Sequence, residues 1–204
     1  MIRHLACVAA LLLAAACAAP QNNADEATIR SVRYADPSGP SLTLYTMVNN
    51  RTGSGGHSSL LISASERVIF DPAGSFAVDI VPERDDALFG ITPAVEAAYR
   101  SSHARSTFHV VSQKIPVTAQ QAEMAYQLAL KSGPVPGAFC ANATSGLLKS
   151  LPGFEFINTT YYPTNLQDQV AQIPGVVTDK YYEGDSADLQ AGIALNNAKL
   201  SKQE

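Results

Sequence analysis

The sequence predicts an α+β fold, with a small antiparallel sheet packed against helices. Three observations lead there. Short alternating apolar runs are separated by Gly-, Asn- and Pro-rich turns, the mark of half-buried strands. Amphipathic segments with capping residues alternate with these runs. At 204 residues, 46% hydrophobic and 16% charged, the chain has the length and composition of about one globular domain with its own core.

The elements follow in chain order. Arg3 and His4 make a short basic start, and "LACVAALLLAAACAAP" is a short apolar core ending in small residues, which reads as an export signal over residues 1–16. Residues 17–30 are polar and read as a tether. No later stretch of about 20 apolar residues predicts a membrane-spanning helix. The domain is expected over residues 31–185. "SLTLYTMV", residues 41–48, alternates as a strand and runs into the turn-rich "NNRTGSGG". Residues 57–63 and 67–70 read as two strands joined by a tight turn, and "SFAVDIVPE", residues 75–83, as a third. A helix is predicted over residues 92–105, with Thr92 as N-cap and Pro93 in its first turn. A strand over residues 106–117 is closed by Pro116. Thr118 and Gln121 form a capping box for a helix that Gly133 stops. "GPVPG" then breaks the chain, and "AFCANATSGLLKSL" reads as a helix opening at or near Cys140. Thr164 and Gln167 offer another capping box, and residues 186–204 read as a short C-terminal helix and polar tail.

Charge and cysteines narrow the chemistry. The net charge of −4 is spread without basic blocks, which argues against nucleic acid as a partner, since phosphate binding needs clustered Lys and Arg. Of the three cysteines, Cys7 leaves with the signal and Cys17 stands at its end. Cys140 is then without a thiol partner, so no disulfide forms within the domain. It is either a small buried hydrophobe or a reactive thiol.

Phe139, Leu147 and Leu148 nearby suit the first reading, while the position at a helix start admits the second. A cysteine at a helix N-terminus meets unpaired N–H groups and the positive end of the dipole, which lower a thiol's pKa. Its own N–H would point where an oxyanion forms. A nucleophilic thiolate also needs a base held by a third group. His57 stands at a strand start behind two glycines, which leave room for a substrate backbone. Pairing about the turn at residues 64–66 sets residue i opposite roughly 130 − i. His57 then faces Ala73, with Asp71 one pleat away and able to hold the imidazole's far nitrogen. Asp79 is the other candidate for that third role.

Rival readings exist. "GGHSSL" invites a serine-hydrolase elbow, but Leu60 stands where the final glycine belongs, and the motif precedes a strand rather than ending one. His103 and His109 have no zinc-type spacing, so no metal is implied, nor any cofactor. Tyr161, Tyr162, Tyr181 and Tyr182 are either cleft aromatics or packing residues.

Two resemblances sharpen this. Cys17 after Ala14, Ala15 and Ala16 resembles the lipobox of bacterial lipoproteins, with Ala14 where the box has leucine. This implies cleavage before Cys17 and its acylation, giving a lipid-anchored protein on the periplasmic side of the cell envelope; ordinary cleavage near Ala18 or Ala19 is the alternative. The order "GGHSSLLIS", "RVIFDPAG", then "FCANATSGLL" resembles circularly permuted, papain-like NlpC/P60 hydrolases, of the lecithin:retinol acyltransferase-like or YiiX/YaeF-like kind. There the histidine strands come first and the cysteine helix late. Ala141 and Asn142 stand where that family has Ser and an acidic residue or Gly. The resemblance implies a permuted papain-like fold, with Cys140 as nucleophile, His57 as base and Asp71 as orienting group. The substrate would be a peptide, peptidoglycan or acyl-lipid. An envelope lipoprotein that binds such a ligand without catalysis is the other class.

Overall fold

In the computed structural model, which describes residues 23–202, the sheet is built outward from β1 (Ser41–Asn49). This strand is buried at eight successive positions because both of its faces are covered. Leu42 and Leu44 enter one apolar cluster, Tyr45 and Met47 the other. β2 (Gly55–Ser63) follows, then β3 (Arg67–Phe70) and a tiny hairpin of β4 (Glu83–Arg84) and β5 (Ala87–Leu88). β6 (Phe108–Pro116) and β7 (Val177–Tyr181) complete seven antiparallel strands, in the order β4-β5-β3-β2-β1-β6-β7.

Six helices accompany the sheet among the described residues: α1 (Glu26–Ser31), α2 (Pro93–His103), α3 (Ala119–Lys131), α4 (Cys140–Lys149), α5 (Pro163–Val170) and α6 (Leu189–Leu200). α3, α4 and α5 share a core with Leu42, Leu44, Leu60 and Ile62. α2 and α6 pack on the opposite face, where Tyr99 and Ile193 meet Tyr45, Met47 and Leu61. No helix among the described residues is long and apolar enough to cross a membrane.

The α+β class and the antiparallel sheet are as expected, with differences in detail. Residues 75–83 are no strand: Phe76, Val78 and Val81 are buried, yet only Glu83 joins a ladder. Alternation there reflects apolar side chains dropped onto α2 and α6, not backbone pairing. β7 carries almost wholly exposed side chains on the sheet's edge, so no burial period announces it. Thr118 and Gln121 form the full capping box, and Thr92 caps α2 through the Val95 N–H. Thr164 and Gln167 do not cap α5, because Pro163 opens that helix two residues earlier than such a cap requires, with Tyr162 as N-cap. Part of the expected tether is helix α1, whose Ile29 lies in the core. In the C-terminal segment, α6 buries Ile193 and Leu200 against α2. The export signal, Cys7 and Cys17 lie outside the described residues.

Candidate active site

The base and its carboxylate come from one hairpin. β2 and β3 pair Leu60 with Phe70, Leu61 with Ile69 and Ile62 with Val68, the register expected from the turn. All six side chains are buried, each adding about 1.5–3 kcal/mol, so a one-residue slip would turn much of this set to the wrong face. The ladder ends at Phe70, and the next residue turns its carboxylate inward: Asp71 is 2% exposed and its Oδ1 lies 2.7 Å from His57 Nε2. Its N–H donates to the Asp86 carbonyl oxygen. Gly74 closes this turn, its N–H donating to the Asp71 carbonyl oxygen, and a Cβ there would stand 1.9 Å from Asp71 Oδ2. Only glycine lets the carboxylate lie over the turn.

A second layer of hydroxyls holds the carboxylate. Tyr99 Oη sits 2.6 Å from Asp71 Oδ1 and 2.7 Å from Ser59 Oγ. A phenol has one proton and a carboxylate can only accept, so Tyr99 donates to Asp71 and accepts from Ser59. Tyr99 lies one turn before His103, whose Nδ1 is 2.8 Å from the Tyr99 carbonyl oxygen and whose ring lies nearly parallel to that of His57.

The thiol arrives from the other side of the sheet. "GPVPG" runs without helix until the Phe139 N–H meets the Pro136 carbonyl oxygen, and Ala138 takes a left-handed φ of 68° to bring the chain into α4. Phe139 is an N-cap with no side-chain bond to the helix. The first α4 N–H groups are thus left for other acceptors. The N–H groups of Ala141 and of Ser58 on β2, and the His57 imidazole, lie beside the Cys140 sulfur and favour its thiolate. With Nε2 given to Asp71, Nδ1 is the imidazole nitrogen that serves the thiol. The Cys140 N–H has no partner among the described residues.

Electrostatics then sets the proton. Burial opposes charge on His57, but the Asp71 carboxylate and its hydrogen bond, with the sulfur beyond, raise the imidazole to about 10. Burial also pushes the Cys140 thiol up, but the bond to His57, that ring's charge and the two backbone N–H groups bring it below its ordinary 9.0. Each partner thereby favours the charged form of the other, which promotes a thiolate–imidazolium pair. Asp71 is held below the usual carboxylate range: its burial works against this, and His57, His103 and the Tyr99 hydroxyl prevail.

The expected trio is thus together in space. Asp79, the other candidate for the third role, instead bonds Asn197 on α6. His109 meets Asn50 and stacks on Tyr182, and Ser58 Oγ is buried with no hydrogen-bond partner among the described residues. Among the described residues no group of three or more His, Cys, Asp or Glu is arranged to hold a metal ion. The role expected of the two glycines changes. A Cβ on Gly56 would stand 2.7 Å from the Phe108 ring, and one on Gly55 2.7 Å from Pro163. They admit the protein's own side chains rather than a substrate backbone. Tyr99 and Ser59 went unnoticed in the sequence, since a tyrosine on an amphipathic helix and a serine in a strand have no distinctive spacing. The exposed Tyr161 packs edge-on against Phe139, beside the nucleophile candidate. Comparison with protein-family models, with curated proteins and with solved structures finds no match for this chain.

Proposed function

We propose that the protein is a thiol-dependent hydrolase or acyltransferase of the bacterial cell envelope, with a permuted papain-like fold. In this reading Cys140 Sγ attacks a carbonyl carbon, and the tetrahedral oxyanion is met by the Cys140 N–H at the start of α4. His57 gives its proton to the departing nitrogen or oxygen, leaving an acyl thioester on Cys140. Water, an amine or an alcohol, deprotonated by His57, then attacks the thioester and restores the thiolate. Asp71 keeps the imidazole oriented and charged between the steps. Peptide and amide bonds of the envelope, peptidoglycan peptides among them, are the proposed substrates, with acyl lipids as the alternative. Anchoring through an acylated Cys17 would hold the domain near them.

One observation carries this reading: a single imidazole is bonded to a buried carboxylate at 2.7 Å and lies beside a thiol at a helix N-terminus, imidazole and thiol each favouring the other's charged form. The order of histidine hairpin before cysteine helix supports the permuted arrangement. The test is p-nitrophenyl acetate. A stoichiometric burst of p-nitrophenol, with the acetyl group found on Cys140 by mass spectrometry and lost in His57→Ala, is expected. Cys140 is 7% exposed, which favours a second reading, a binding protein with an inert thiol. Acetylation that is slow and unaffected by His57→Ala would establish that reading instead.

A further inference from the structure

A pocket of about 180 Å³ opens beside His57, bounded by Met47, Gly56, His103, Phe108 and Leu189. Cys140 does not line it. The pocket therefore adjoins the imidazole without touching the sulfur, so it can take a group that extends beyond the leaving atom. At roughly 30 Å³ for a water-sized volume it has room for about six non-hydrogen atoms, a side chain rather than a long acyl chain.

Its chemistry is defined by what it lacks. Arg105 reaches it, but that guanidinium is already engaged by Glu183 and Asp185 and by the carbonyl oxygens of Ser101 and Ala104. The Arg105 charge is thus not free to recognise an anion, and the His57 charge is matched by Asp71 at 2.7 Å. His103 is 7% exposed, and its Nδ1 must carry the proton it gives to the Tyr99 carbonyl oxygen. Burial, with the His57 and Arg105 charges, holds His103 down to about 4, so near neutral pH its Nε2 is a bare acceptor. That nitrogen has no protein partner among the described residues. The site thus offers apolar walls of Met47, Phe108 and Leu189 and one buried acceptor.

We infer that this pocket is the leaving-group and acceptor subsite, taking the apolar side chain of an amino-acid residue that carries the scissile nitrogen, with an N–H of that residue available to His103 Nε2. The inference rests on the proposed role of Cys140. In the reverse direction the same pocket seats an amine that attacks the acyl enzyme. The amine nitrogen bonds the thioester carbon, the C–S bond breaks, the electron pair returns to Sγ as thiolate, and the amine's proton passes to His57.

The experiment is aminolysis of acetyl-Cys140, generated from p-nitrophenyl acetate, by glycinamide and leucinamide. Leucinamide is expected to form its acetyl amide at least about tenfold faster. Leu189→Trp, which fills the pocket, should bring that ratio near one, and Leu189→Ala, which widens it, should shift preference toward phenylalaninamide. Opposite shifts from two substitutions at one position exclude simple misfolding. Equal rates for the two amines in the wild type overturn the proposal. So does a change in acyl-group preference without a change in amine preference, which would place the acyl chain in the pocket. If no acetyl-Cys140 forms, the role of Cys140 has failed, and the pocket is read by methyl NMR of Met47 and Leu189 during leucinamide titration. Shifts at both methyls uphold the subsite, and their absence overturns it.

Discussion

Asp71→Asn removes one charge and keeps the shape of the side chain. In the wild type, His57 is raised from 6.5 to about 10 against the opposing effect of burial, and the carboxylate is the leading cause. With the carboxylate neutral, burial prevails, and the imidazole falls to or below its ordinary range and is largely uncharged at pH 7. Cys140 then loses its strongest support and returns toward or above 9.0. A thiol of that pKa is about 1% thiolate at pH 7, so alkylation should slow by up to about 100-fold. The greater nucleophilicity of a more basic thiolate trims this to some tens of fold. The assay is the rate of iodoacetamide labelling of Cys140 between pH 7 and 9. Over that range the Asp71→Asn rate should climb about tenfold per pH unit, more steeply than the wild-type rate, and approach it near pH 9. An Asp71→Asn protein that keeps its wild-type rate at pH 7 within about threefold refutes the electrostatic reasoning.

Three further outcomes are expected. Gly74→Ala should slow labelling at pH 7 much as Asp71→Asn does, because its Cβ would stand 1.9 Å from Asp71 Oδ2 and displace the carboxylate; undiminished labelling in a folded protein contradicts that. Tyr99→Phe removes a 2.6 Å hydrogen bond to a buried carboxylate and should cost about 1.5–3 kcal/mol in urea unfolding at pH 7, a loss below about 0.5 kcal/mol speaking against the bond. His103 is held down to about 4 in the folded protein, whereas the unfolded chain takes up its proton near 6.5. Its contribution is thus complete above 6.5 and lost as pH falls toward 4, some 2–3 kcal/mol at the acid end, or about 1.4 kcal/mol per pH unit. Urea midpoints at pH 7.5 and 4.5 should draw together in His103→Gln by that amount, and an equal acid loss in both proteins would count against a neutral His103.

What could be read from the residues depended on whether local pattern and burial agreed. The hairpin register was legible to within two residues because the turn at residues 64–66 fixes the centre of the pairing. Cys140 at the start of a helix was legible because "GPVPG" cannot be helical. The second capping box failed because a proline one residue upstream outweighed a polar pair with the right spacing. β7 was invisible because its side chains face solvent. At the site, the three charged or ionisable partners were legible as residue types, and their supports were not. Tyr99 reaches Asp71 across 28 residues, a contact that only the packing of α2 on the sheet creates. The pocket draws Met47, His103 and Leu189 from three separate elements, and no sequence window contains them.

The two halves of the site also differ in when a growing chain can make them. His57 and Asp71 are 14 residues apart on one hairpin, which forms from local contacts alone. Cys140 joins them only when α4 docks on β2, a late, long-range event in a chain made from its N-terminus. Until then its sulfur is an ordinary thiol, mostly protonated and slow to react. In the proposed mechanism, reactivity would therefore be switched on by completion of the domain. A newly made or damaged copy that cannot close would carry a comparatively harmless cysteine.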